Sequence, residues 1–206
     1  MTRGRWLRWL EAAFLAMGVA LATWCVLVLV EAYYTQSLPV PPPTPVEPAR
    51  SLPGEASPGA PPPPITAAPG SWVARLEVPT LNLATTVLEG SDARTLLKAA
   101  GHIEDTPLPG QPGNVGIAGH RDTVFRPLSR AQVGTPMTLV TRDRTFYYTI
   151  SRTLIVKPED VYVLDPTARP TLTLVTCYPF EFIGHAPKRF VVQAELVREE
   201  PRVAQH

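Results

Sequence analysis

Residues 173–190, TLVTCYPFEFIGHAPKRF, hold the only cysteine outside an N-terminal apolar segment. Thr173, Leu174, Val175 and Thr176 are β-formers that lead into Cys177, so the thiol is expected at the end of a strand, a rigid place for a nucleophile. Tyr178-Pro179 and Ala186-Pro187 punctuate a loop, after which residues 190–197, FVVQAELV, resume as a strand that should lie beside the first. Alternation sorts the faces. Phe190, Val192, Ala194 and Leu196 make the apolar face of the second strand, and Leu172 and Leu174 look inward on the first. Cys177 and Arg189 are thereby sent to the other side and into one groove, with Lys188 at the core-side edge or in solvent.

Upstream, residues 113–122, GNVGIAGHRD, are a glycine-punctuated apolar run ending in His120, a second catalytic residue type at a strand end. A thiol with an unperturbed pKa of about 8.5 is only a few per cent thiolate at neutral pH, so a nucleophilic cysteine needs a cationic neighbour or a base. His120 and Arg189 are the candidates. His185 is a rival because it sits in the loop near Cys177. His102 is another, although it follows the glycine expected to end a short helix, where histidine often serves as a C-terminal cap. Taken alone, a single cysteine is more often a small buried hydrophobe than a catalyst.

Taken together, GNVGIAGHRD with His120, TLVTC with Cys177 and PKRF with Arg189 resemble the sortases, cysteine transpeptidases of bacterial surfaces. The resemblance covers about residues 72–197, and CYPF followed by GHAPKRF looks most like the class D branch. It implies a closed or nearly closed β-barrel of about eight strands with short helices in the connections. It also implies roles. Cys177 would attack a backbone carbonyl in the sorting signal of a surface protein, His120 would protonate the leaving amine, and Arg189 would bind substrate or the developing oxyanion. A thioester would result, resolved by an amine from a cell-wall precursor or a pilin-like subunit. No cofactor is required for that chemistry. Some sortases use calcium, a dependence this sequence leaves open.

The 206 residues carry a net charge of +1 and are 45% hydrophobic, which permits one modest domain with appendages and argues against a nucleic-acid binder. Two cysteines exclude a disulfide scaffold, and since Cys25 lies in the apolar segment, Cys177 is expected to be a free thiol outside the cytoplasm. Residues 12–30 carry no charge and as a helix would run about 28 Å, close to one hydrocarbon core. Arg3, Arg5 and Arg8 precede this run and no Lys or Arg follows until Arg50, which puts residues 1–11 in the cytoplasm and the remainder outside a bacterial plasma membrane. A cleaved signal peptide competes, because Ala20-Leu21-Ala22 mimics its cleavage site, but the apolar run is longer than a usual signal core.

Proline dominates the linker, residues 31–71, and as a polyproline spacer residues 38–70 could reach on the order of 100 Å. The catalytic domain is expected over 72–198 and a tail over 199–206. Residues 72–78 and 81–87 read as strands around a turn at Pro79-Thr80, and Ser91 as the cap of a helix ending at Gly101. Residues 137–140, 145–156 and 161–164 read as further strands. Periodicity alone leaves a sandwich open beside the barrel. The acidic residues Glu89, Asp92, Glu104, Asp105, Asp143, Glu159 and Asp160 are scattered, so no metal site is expected. Two other functions compete with the transpeptidase: a secreted cysteine peptidase with water as acceptor, and a stalked non-catalytic binding domain.

Overall fold

A computed structural model describes residues 3–43, 67–182 and 184–202. After the helix α1 (Arg3–Ser37) come β1 (Trp72–Val78), β2 (Leu83–Glu89), α2 (Ala93–Lys98), β3 (Ala100–His102), β4 (Asn114–Ala118), β5 (Pro136–Val140), β6 (Arg144–Val156), β7 (Thr171–Tyr178) and β8 (Lys188–Pro201). The eight strands close in the order β1-β2-β3-β4-β7-β8-β6-β5, and β5 returns to β1. This is the barrel, not the sandwich.

Strand β7 sits at the junction of two kinds of pairing, parallel to β4 on one side and antiparallel to β8 on the other. Its inward residues Leu172 and Leu174 face Ala194 and Val192 across the β8 ladder, and all four are fully buried. Each such leucine contributes about 1.5–3 kcal/mol through burial, which holds the register against a one-residue slip. The outer face is buried too. A 3-10 helix, Val161–Leu164, lies over it, so that Val163 packs with Val156 and Val191 while Leu164 and Val175 flank them.

Residues 161–164, expected as a strand, are therefore helical. The reason lies in what they cover: the carbonyl of Val163 accepts from Asn114 Nδ2 at 2.9 Å and from Gln193 Nε2 at 2.8 Å, leaving no ladder for a strand to join. Thr173 completes the network, donating to Asn114 Oδ1 at 2.6 Å and accepting from Gln193 Nε2 at 3.2 Å. Asn114 and Thr173 are wholly buried, so these bonds replace water for each polar group.

The helix expected to run from Ser91 to Gly101 is shorter. Asp92, not Ser91, is the cap: its carboxylate accepts from the backbone nitrogens of Arg94 and Thr95 and from the Thr95 hydroxyl. The Thr95 hydroxyl is the main reason the Asp92 carboxyl titrates below its ordinary value. Ser91 instead bonds Glu104 through both its backbone nitrogen and its hydroxyl. Gly101 and His102 belong to β3 rather than to a helix end, and at Gly101 a Cβ would lie 2.1 Å from the Gly90 carbonyl oxygen. Beside β1, Pro79–Leu81 form a 3-10 turn ended by Asn82 in the left-handed region at φ 53°, so β2 starts at Leu83.

Helix α1 contains the one span among the described residues long and apolar enough to cross a membrane, Trp6–Ser37, with mean hydropathy 2.5 and none of its most apolar window buried. Most of the proline-rich run expected as a stalk, residues 44–66, lies outside the described residues. Strand β8 continues to Pro201, and Glu199 and Glu200 pair with Phe146 and Thr145.

Asn114→Ala is expected to strip the Val163 carbonyl and the Thr173 hydroxyl of a partner and to destabilise the fold by about 1–3 kcal/mol. Denaturant unfolding checks the magnitude. Amide exchange should rise first at 161–165; protection unchanged there would mean that the network does not hold the helix.

Candidate active site

Cys177 is the penultimate residue of β7, half-buried, and directly opposite Arg189 of β8 in the antiparallel register. Directly opposed residues share a face, with Cβ atoms about 4.5–5.5 Å apart. The two residues thus share one face, as alternation predicts. Both lie on the outer face, where Val175 and Val191 form the preceding pair. The Arg189 Nη1 group donates to the carbonyls of Lys188 at 3.1 Å and Ala186 at 3.4 Å, tying the guanidinium to the loop before β8. Lys188 pairs with Tyr178 and is exposed.

His120 arrives from the other side of β7. The parallel ladder pairs Ala118 with Val175, and the chain stays against β7 beyond it: Gly119 N donates to the Val175 carbonyl at 3.1 Å, and the Thr176 hydroxyl donates to the Gly119 carbonyl at 2.7 Å. Two steps past the last pair, His120 stands level with Cys177. Gly119 has to be glycine, because a Cβ there would lie 2.6–2.8 Å from the ring of Phe125, which is fully buried. Phe125 N donates back to the His120 carbonyl at 3.0 Å, so this ring and the turn that carries it set how the chain leaves β4.

The two other histidines among the described residues are placed differently. His185 is exposed in the loop between β7 and β8. His102 is 1% exposed, with Nδ1 2.8 Å from Glu89 Oε2 and Nε2 3.0 Å from the Pro107 carbonyl oxygen. Both ring nitrogens thus have partners within the protein, and the residue braces β2 against β3 and the turn that follows. Among the described residues no group of three or more His, Cys, Asp or Glu side chains is placed to hold a metal ion.

One residue with a clear part in the site gave no signal in the sequence beyond standing next to His120. Arg121 spans from the β4 end to the β7–β8 loop, donating to the carbonyls of Pro179 at 3.0 Å, Phe182 at 2.6 Å and Gly184 at 3.0 Å. Its guanidinium also lies 6.0 Å from the Phe182 ring centre. The same loop is rooted by aromatic packing, with Tyr178 stacked on Phe190 at 6.3 Å and Phe180 edge-on to Phe190 at 5.3 Å. Cys177 is thus held between a strand register and a loop clamped to the histidine segment.

A family model for the sortase domain matches residues 76–197, more than half of the 206 residues. The chain belongs to the sortase family. Sortases are cysteine transpeptidases. The chain is 37% identical to a sortase D of Bacillus subtilis over 123 residues, which is 59% of this chain and 62% of that relative's length. Among solved structures, a sortase D5 transpeptidase of Clostridium perfringens superposes with a TM-score of 0.58 at 32% identity, covering 64% of this sortase and 82% of that chain. The sortase E1 of Streptomyces coelicolor, solved with a tripeptide in its active site, gives 0.59 at 31% identity, covering 66% and 93%. The class D likeness read from CYPF and GHAPKRF agrees with the first two.

Arg121→Ala should release the loop while leaving the barrel folded. The expected result is faster amide exchange over 180–186 and a loss in kcat/KM on the order of 10- to 100-fold, the scale of misplacing a reacting group by about 1 Å. Arg121→Lys should recover only part of it, since one ammonium cannot reproduce the planar fork. Full activity in Arg121→Ala would show that the clamp is irrelevant to the site.

Proposed function

We propose that this sortase is anchored in a bacterial plasma membrane by α1, amino terminus inside, and transfers a surface protein to an amine through Cys177, His120 and Arg189. The observation that carries the reading is the register: Cys177 stands opposite Arg189, and the parallel β4 ladder brings His120 level with it. The Cys177 thiolate attacks a backbone carbonyl of the sorting signal, and Arg189 stabilises the oxygen as it becomes negative. The C–N bond then breaks, and His120 gives its proton to the departing amine. A thioester remains on Cys177.

The thioester retains the acyl-transfer potential of the amide that was broken, so the second half needs no nucleotide or metal. An incoming amine attacks the thioester carbonyl, His120 takes its proton, and the thiolate leaves. A cell-wall precursor or a pilin-like subunit can supply that amine. The tripeptide seated in the active site of the S. coelicolor relative supports a peptide substrate. Arg3, Arg5 and Arg8 before the apolar span support the orientation.

A sorting-motif peptide incubated with and without an amine acceptor tests the reaction. Amide product is expected; hydrolysis alone would replace the transpeptidase with a peptidase, and no turnover by a folded chain would remove the enzyme. Cys177→Ala should abolish transfer and keep the fold. Arg189→Lys is expected to lose on the order of 10²-fold in kcat/KM, the scale of removing an oxyanion donor, and Lys188→Ala far less. A larger loss for Lys188→Ala would mean that the groove cation is misassigned. Thiolate and imidazolium must coexist, so kcat/KM should trace a bell against pH; a flat profile between about pH 5 and 10 with chemistry rate-limiting would break the pairing.

A further inference from the structure

The outer end of α1 is fastened to the barrel. Glu31 Oε1 lies 2.5 Å from Lys98 Nζ, Gln36 Nε2 donates to the Lys98 carbonyl at 3.4 Å, and Arg75 Nη1 donates to the Gln36 carbonyl at 3.1 Å. Along α1 from Trp6 to Ser37, the half-buried residues are Val28, Ala32, Thr35 and Gln36, and the others are exposed. That spacing is one helix face. It turns toward α2 and β2.

The place of this contact on the barrel matters. Gly101 pairs with Ala118 in the antiparallel β3–β4 ladder, so two steps further Ala99 comes level with His120. Lys98 lies just before the start of β3, the end of that strand nearer His120. Arg75, which holds Gln36, instead pairs with Val140 beside the turn at 141–143, so from Glu31 to Gln36 the helix steps along the barrel away from the Cys177 end. The turn at 141–143 is at the other end, because β6 pairs Val156 with Arg189 but Thr145 with Glu200. The chain leaving α1 runs toward that far turn: Arg202 Nη1 donates at once to the carbonyls of Pro41, Thr141 and Arg142. Ala67 also borders the turn, lining one cavity with Thr141, Arg142 and Asp143. Both described ends of residues 44–66 therefore meet the same far turn, and the contacts of α1, not the length of the proline-rich segment, set the distance between anchor and barrel.

We infer that the outer turns of α1 dock on α2, β1 and β2 so that the barrel is held at the bilayer surface with its Cys177 end toward the membrane. The inference rests on α1 being the membrane anchor. Glu31 immediately follows the uncharged run 12–30, so its partner Lys98 lies at the headgroup level, and the neighbouring Leu97, 61% exposed, faces the interface. Docked this way, the sortase favours peptides and amines presented at the bilayer surface over those free in solution.

Two measurements on the full chain in lipid vesicles test this. A zero-length carbodiimide, which joins only a carboxylate and an amine in contact, is expected to link Glu31 to Lys98 in the unmodified protein, as read by mass spectrometry. For the second, a fluorophore is placed at Leu97→Cys, or at Arg142→Cys on the far turn, in a Cys25→Ala, Cys177→Ala background. Brominated-chain lipids should quench the first label and spare the second. Absence of the link, or a Leu97 label as unquenched as the Arg142 label, in protein that has entered the membrane overturns the docking. Protein recovered in the soluble fraction overturns the anchor on which it rests.

Discussion

The register of β7 is the constraint on which the site depends. Because side chains alternate with a period of two, a slip of one residue would carry Cys177 into the barrel and turn Leu174 out of the core. The slip is blocked from both faces. Inside, Leu172 and Leu174 meet Ala194 and Val192; outside, Thr173 is bonded to Asn114 and Gln193, and Val175 packs near Val191 under the 3-10 helix. A strand gripped on both faces delivers its last residues to a fixed place, and the cysteine and arginine inherit that precision from packing well below them.

Much of this was legible in the sequence because strands advertise their faces. The apolar set Phe190, Val192, Ala194 and Leu196 is the inner face of β8, and opposing it to Leu172 and Leu174 puts Cys177 beside Arg189 with no further information. What alternation missed is where tertiary cover changes the rule. Val161 to Leu164 have strand-like composition, yet their role is to cap an outer face with a helical turn, and only the buried amides of Asn114 and Gln193 reveal it. Likewise Ser91 and Asp92 are both good caps, and the choice between them follows from Glu104, thirteen residues from Ser91, which takes the serine.

The histidines divide by the same logic. His102 and His120 each follow a glycine, and sequence position alone offers a role for either. In the fold, Gly101 admits the Gly90 carbonyl and buries His102 against Glu89, whereas Gly119 admits the Phe125 ring and leaves His120 half-buried just past the end of β4. Arg121 illustrates what a linear reading cannot supply. Its three acceptors are carbonyls about sixty residues away, and backbone carbonyls leave no trace in a sequence.

The half-buried Cys177 is also alone. The chain's other cysteine, Cys25, is on α1, and both thiols are free. Many redox-sensing thiols are backed by a resolving cysteine that captures a sulfenic acid as a disulfide before it oxidises further. The barrel offers none. A thiol with the role proposed for Cys177, reactive enough to open a peptide bond, is also open to oxidants, and once oxidised it depends on a thiol from another molecule to return to service.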